Sequence, residues 1–116
     1  MALTDKEVRQ IRDYIGTKDV KARRDILRAI SGQVRFNILA ALGQTADGMT
    51  VSELARLFRY SVSRVSHQLR ILRNHHIVSM HRNGKSMVYR IANNPFLRDI
   101  IQRWQDAPKY VNGDHV

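Results

Sequence analysis

The sequence contains no cysteine. That one absence removes disulfides, thiolate metal sites, cysteine nucleophiles and thiol redox switches, and makes an intracellular location the default expectation. Long apolar runs are missing too: nothing approaches the roughly 18 residues of a membrane helix. The opening stretch MALTDKEVRQIRDY carries charge from position 5 and has no apolar signal core. A cytoplasmic protein without a membrane partner is expected. The 116 residues suffice for one domain with a modest core and argue against two.

Acidic residues are absent from one whole stretch. Between Glu53 and Asp99 there is none, while Arg56, Arg59, Arg64, Arg70, Arg73, Arg82, Lys85, Arg90 and Arg98 supply nine positive charges. The remainder holds 11 basic and 10 acidic residues, so nearly all of the net charge of +10 lies in the middle of the chain. A merely soluble basic surface would mix arginine with glutamate. Segregation on this scale points to a polyanion, with nucleic acid the first choice.

Helix signals come in order along the chain. Thr4 and Glu7 fit a capping box with Leu3 and Val8 as its staple, and the helix they open runs to about Ile15, before Gly16. Val20, Arg23, Leu27 and Ile30 place apolar groups on one side of a second helix that starts near Asp19 and ends at Ser31-Gly32. A third carries Val34, Ile38, Leu39 and Leu42, is apolar over much of its circumference and is expected at the centre of the core. GQTADG is a turn.

Thr50 and Glu53 form a second capping box, with Met49 and Leu54 as its staple, before a short helix whose inward face is expected to hold Leu54, Leu57 and Phe58. Only Arg59-Tyr60 separates it from the next helix, capped by Ser61, with Val62, Val65, Leu69 and Leu72 inward. Two short helices joined so tightly follow the helix-turn-helix plan. After His75-His76 the period becomes alternating. IVSMHRNGKSMVYRIA then reads as a hairpin closed at Asn83-Gly84. Asn94-Pro95 caps a final helix striped with Leu97, Ile100, Ile101 and Trp104.

The fold class expected is therefore mainly α with a small β-hairpin, a winged helix-turn-helix in one domain over 1–105. Within it the N-terminal helices occupy 1–30, the helix-turn-helix 50–75, the wing 77–92 and the last helix 94–105, before a flexible tail at 106–116.

At about 100° per residue, Ser63, Arg64, His67, Arg70 and Asn74 fall opposite the apolar side of the 62–74 helix. Arginine reads guanine through O6 and N7 together, and a recognition helix reaches deepest with its first turn. Ser63, Arg64 and His67 are accordingly the candidate base readers. Arg56, Arg59, Tyr60, Ser61, Ser66 and Arg70 are candidates for the DNA backbone. On the wing, His81, Arg82, Asn83 and Lys85 are placed to reach a minor groove or its phosphates, while Val88 and Tyr89 read as strand packing. The apolar stripes at the two ends, Val8, Ile11 and Ile15 with Leu97, Ile100, Ile101 and Trp104, exceed what one small core needs. They are candidates for a homodimer interface; the competing reading packs them on the protomer's own core.

Residues 30–92 resemble the ArsR family of bacterial and archaeal repressors. ISGQVRFNILAAL is similar to that family's opening core helix. MTVSELARLFRYSVSRVSHQLRILRNHHIVSMHRNGKSMVYRI is similar to its reading motif and wing. The most specific part is SVSRVSHQLRILRNHHIV, where Ser61, Ser63, Val65, Ser66, Leu69, Leu72, Arg73 and Val78 match the family's preferences. The resemblance implies a homodimer with paired terminal helices and recognition helices in successive major grooves of double-stranded DNA. Many members of this family release DNA on binding a metal ion, through cysteines in the first reading helix or carboxylate and histidine pairs in the last. TVSELARLF has no thiol, and NNPFLRDIIQRWQ has no histidine and only Asp99 as carboxylate. Adjacent His75 and His76 diverge by about 100° on a helix and are poorly spaced for one ion.

No metal, cofactor or obligate small molecule is thus expected. With no glycine-rich phosphate loop and no paired carboxylates, the protein is not expected to be an enzyme. A sequence-specific DNA-binding repressor is the leading expectation. The alternatives are an architectural or nonspecific DNA-binding protein and a sensor with a non-standard site.

Overall fold

Side-chain caps decide where most of the helices begin. In the computed structural model, which describes residues 2–105, Thr4 opens α1 (Asp5–Ile15) in a complete capping box with Glu7. Thr17 opens α2 (Lys18–Ala29), whose first turn thus starts one residue before Asp19. Helix α3 (Gln33–Leu42) follows Gly32 without a side-chain cap. Thr50 and Glu53 complete the box at α4 (Val51–Phe58), and Ser61 caps α5 (Val62–Asn74). The hairpin pairs β1 (Val78–Asn83) with β2 (Ser86–Ile91), and α6 (Pro95–Gln105) starts where Asn94 Oδ1 accepts from the Leu97 N–H at 3.0 Å. The stretch at 106–116, expected as a flexible tail, lies outside the described residues.

The hairpin is antiparallel, in register from Val78↔Ile91 to Asn83↔Ser86. Its two-residue loop is Gly84-Lys85, one position beyond the expected Asn83-Gly84, and Gly84 alone takes a left-handed φ of 65°. That is the demand of a type II′ turn, whose first central residue is best a glycine. Met49 pairs with the outer edge of β2 through two hydrogen bonds with Tyr89, of 3.0 and 2.8 Å. This anchors the base of the wing to the segment that enters α4.

The core forms around α3, as its all-round apolar surface predicts. Ile38, Leu39 and Leu42 meet Leu54 of α4, Val65, Leu69 and Leu72 of α5, Ile77, and Leu97 of α6, all essentially without exposure. Each such side chain contributes roughly 1.5–3 kcal/mol by leaving water. Three expected core positions are corrected. Leu27, Leu57 and Val62 are 49, 56 and 53% exposed. In α2 the buried stripe is Ile26, Ala29 and Ile30, and in α4 it is Leu54, Ala55 and Phe58, so Leu27 and Leu57 are each turned roughly 100° away from it. Val62 has nearly the azimuth of Leu69 but lies in the first turn of α5, where half of it stays uncovered.

The two terminal helices differ in burial. Leu97 is fully buried and Ile101 is 6% exposed in the protomer's own core, so neither has surface left for a partner; Ile100 is half-buried. Trp104 belongs to α6, but its side chain lies outside what is described. By contrast, α1 buries no residue at all. Leu3, Val8, Ile11 and Ile15 line one apolar groove along it, and the radius of gyration, 17.9 Å, exceeds the roughly 13 Å of a compact domain near this length. No helix among the described residues is long and apolar enough to cross a membrane.

Candidate nucleic-acid interface

The turn between α4 and α5 is built by local hydrogen bonds. Thr50 Oγ1 accepts from the Glu53 N–H at 3.1 Å, and Glu53 Oε1 accepts from the Thr50 N–H at 2.9 Å. The Thr50 backbone N–H, then its hydroxyl, hold the Glu53 carboxyl below the ordinary glutamate value, and the charge of Arg56 adds a smaller pull in the same direction. At the other end of α4, Arg59 is left-handed, with φ 58° and ψ 36°, and the Tyr60 N–H returns to the Ala55 carbonyl at 3.0 Å. This closure normally uses glycine. Arginine there leaves a long cation at the corner of the motif.

Ser61 then caps α5, its Oγ accepting from the Arg64 N–H at 3.0 Å. The residues expected to read DNA share one exposed side: Ser63, Arg64, His67, Arg70 and Asn74 are all exposed on α5, opposite buried Val65, Leu69 and Leu72, and Ser66 is half-buried at its flank. Ile71, which the helical wheel places on the polar side, is half-buried. Arg56 and Arg59 are exposed beside this face. Among the described residues, none of Arg56, Arg59, Arg64, Arg70, Arg82 and Lys85 forms an ion pair; the pair observed is Arg103 with Asp99 at 3.2 Å. Apart from Arg56, which acts on Glu53 at longer range, these cations have no carboxylate in direct contact to neutralise them.

Tyr60, expected at the DNA backbone, makes several contacts within the protein. It is half-buried, its hydroxyl accepts from Asn37 Nδ2 at 3.1 Å, and its ring stacks on Phe58 with centroids 5.5 Å apart. The Arg64 guanidinium carbon lies 4.9 Å from the Tyr60 ring centroid. Helical phase alone could not reveal the Asn37 contact, because Asn37 lies 23 positions before Tyr60. Arg35 was also missed: it links α3 to Gln68 on α5.

On the wing, His81, Arg82, Asn83 and Lys85 are all exposed at or near the tip. Alternation along β1 sends His81 and Asn83 to one side and Arg82 to the other. Ser79 shares the first side and meets His81 Nε2 at 2.9 Å. Two cations of the basic stretch serve structure: Arg73 reaches Met80 Sδ at 3.9 Å, and Arg90 Nε donates to the Asp47 carbonyl at 3.2 Å.

The metal positions implied by the resemblance do not fit these residues. Helix α4 has no thiol, and the one carboxylate of α6, Asp99, is engaged by Arg103. Among the described residues no group of three or more potential ligands gathers elsewhere.

Comparison with known proteins agrees with the geometry. Residues 32–80 match the model of the bacterial regulatory protein family arsR. The chain is 31% identical over 106 residues to the transcriptional repressor SmtB homolog of Synechocystis, covering 88% of this chain and 79% of that one. It is 34% identical over 77 residues to the transcriptional repressor SdpR of Bacillus subtilis, covering 66% of this chain and 82% of that one. Its fold is similar to a homodimeric winged helix-turn-helix DNA-binding domain from Mycobacterium bovis, with TM-score 0.63, 21% identity, and coverage of 90% of this chain and 87% of that one. The family match and the 31% identity over most of both chains show that the chain belongs to the arsR family of DNA-binding winged helix-turn-helix transcription regulators.

Proposed function

We propose that the protein is a homodimeric repressor that occupies an imperfect palindrome, with α5 of each protomer in the major groove and each wing at the adjacent minor groove. Ser63, Arg64 and His67 read base edges. Arg56, Arg59, Ser61, Ser66 and Arg70 hold phosphates, and His81, Arg82, Asn83 and Lys85 extend the contact from the wing. The observation that carries this reading is Arg64: an exposed guanidinium in the first turn of α5, with no carboxylate partner among the described residues.

The uncovered apolar groove of α1 and the homodimeric structural neighbour support the dimer, and the two repressors among the relatives support repression. A two-fold axis through the terminal helices sets the recognition helices roughly 34 Å apart, one turn of DNA. The site of action follows from the ligand: the cytoplasm, on the nucleoid.

The test begins with binding sites selected from random DNA. On the recovered sequence, Arg64→Ala is expected to cost roughly 1–3 kcal/mol of discrimination at one base position. Arg59→Ala is expected to weaken all sequences alike and to flatten the salt dependence. If both variants weaken every DNA equally, the protein binds without base selection and the architectural reading replaces this one.

A further inference from the structure

We propose that Tyr60 is a positioning residue for base reading: a fixed aromatic platform that sets the guanidinium of Arg64 and thereby contributes to the choice of guanine without touching DNA itself. The inference rests on Arg64 being a base reader.

Three constraints hold the ring. The Tyr60 N–H is bound to the Ala55 carbonyl at 3.0 Å, which closes α4. Asn37, next to fully buried Ile38 and Leu39 on the core helix, donates to the phenolic oxygen at 3.1 Å. Phe58 stacks against the ring at 5.5 Å with the planes 25° apart. A ring fixed through side chain and backbone at once is an unusual neighbour for a surface arginine. The Arg64 guanidinium carbon sits over it at 4.9 Å from the centroid.

Arginine otherwise samples many rotamers, and guanine recognition needs its planar fork in one of them. Resting on the ring, attracted by the negative π face, the guanidinium keeps its N–H donors at its rim, free for the acceptors of a base edge. The ordering is then complete before DNA arrives, which is what preorganisation means for affinity and selectivity.

The experiment uses the full chain and measures affinities for the selected site and its single-base variants at the position that Arg64→Ala identifies. Tyr60→Phe keeps the ring and is expected to keep the discrimination of the unmutated protein within about twofold. Tyr60→Leu removes the π face and is expected to lose about two- to fivefold of the guanine preference there. In the Arg64→Ala background, Tyr60→Leu should change that preference no further. Affinity for random-sequence DNA is expected to be unchanged.

A uniform loss across all sequences in Tyr60→Leu, or the same loss of preference in the Arg64→Ala background, overturns the platform while leaving Arg64 as the reader. No effect of Arg64→Ala itself overturns both. Should Tyr60→Leu fail to fold, the ring-current shift of the Arg64 side-chain protons in the unmutated free protein decides. Upfield-shifted protons support the platform, and protons at their free positions overturn it.

Discussion

Arg35 of α3 donates from Nη1 to Gln68 Oε1 of α5 at 3.1 Å, and its Nε donates to the Ala29 carbonyl at the end of α2. One half-buried guanidinium thus joins α2, the core helix α3 and α5. Hydrogen bonds to a charged group are worth about 1.5–3 kcal/mol, against about 1 for neutral ones. Arg35→Leu is therefore expected to destabilise by about 2 kcal/mol and Gln68→Ala by about 1, read from urea denaturation. Equal small shifts would show that Arg35 contributes only as a solvated cation.

At the corner of the reading motif, stability and function should separate. Arg59 holds φ 58° at a cost of roughly 1–2 kcal/mol for a residue with a Cβ. Arg59→Gly is expected to raise stability by up to roughly 1 kcal/mol, the rest offset by the freer unfolded chain. The same change removes a proposed phosphate contact and should weaken DNA binding. A variant both less stable and unchanged in binding would contradict the account of this turn.

Two glycines with positive φ differ in their surroundings. A Cβ on Gly48 would meet the Tyr89 carbonyl oxygen at 2.5 Å, whereas one on Gly84 meets nothing within 4 Å. Gly84→Ala should cost only the backbone strain, about 1 kcal/mol. Gly48→Ala adds a clash with backbone and should cost about 3 kcal/mol or more, loosening the bridge that seats the wing. Thermal denaturation of the two variants gives the comparison directly.

The dimer is tested on α1, where Ile11 and Ile15 are 46 and 51% exposed in the protomer. Ile11→Asp places a charge in the proposed apolar seam without touching the protomer core. Light scattering at micromolar concentration is expected to show the mass falling from two chains to one. A dimer that survives this change places the interface away from α1.

Acid should loosen the two capping boxes. Glu7 and Glu53 are both held below the ordinary glutamate value by the threonine N–H groups they accept from. A carboxyl with a lowered value in the folded state contributes stability that is present above its unfolded value, about 4.3, and is lost as pH falls through the folded one. Thermal midpoints should decline below about pH 4. The double variant Glu7→Gln, Glu53→Gln, in which the amides can still cap, should show a flatter profile.

Local chemistry accounts for what the sequence determined by itself. A cap acts across three residues, so Thr4 with Glu7, Thr50 with Glu53, Ser61 and Asn94 were enough to locate four helix starts. A change from helical to alternating period located the wing, and the gap in acidic residues from Glu53 to Asp99 marked the basic face. Tertiary structure decided everything that depends on a neighbour distant in sequence. Helical phase gives an azimuth but not what stands opposite it, so Leu27, Leu57 and Val62 could not be told from core, nor Leu97 and Ile101 from interface. The same limit hid the most consequential contact of the reading motif. The ring of Tyr60 and the guanidinium of Arg64 belong to residues four positions apart, but what ties that ring to the core is Asn37, a polar residue on α3 that only folding brings into reach.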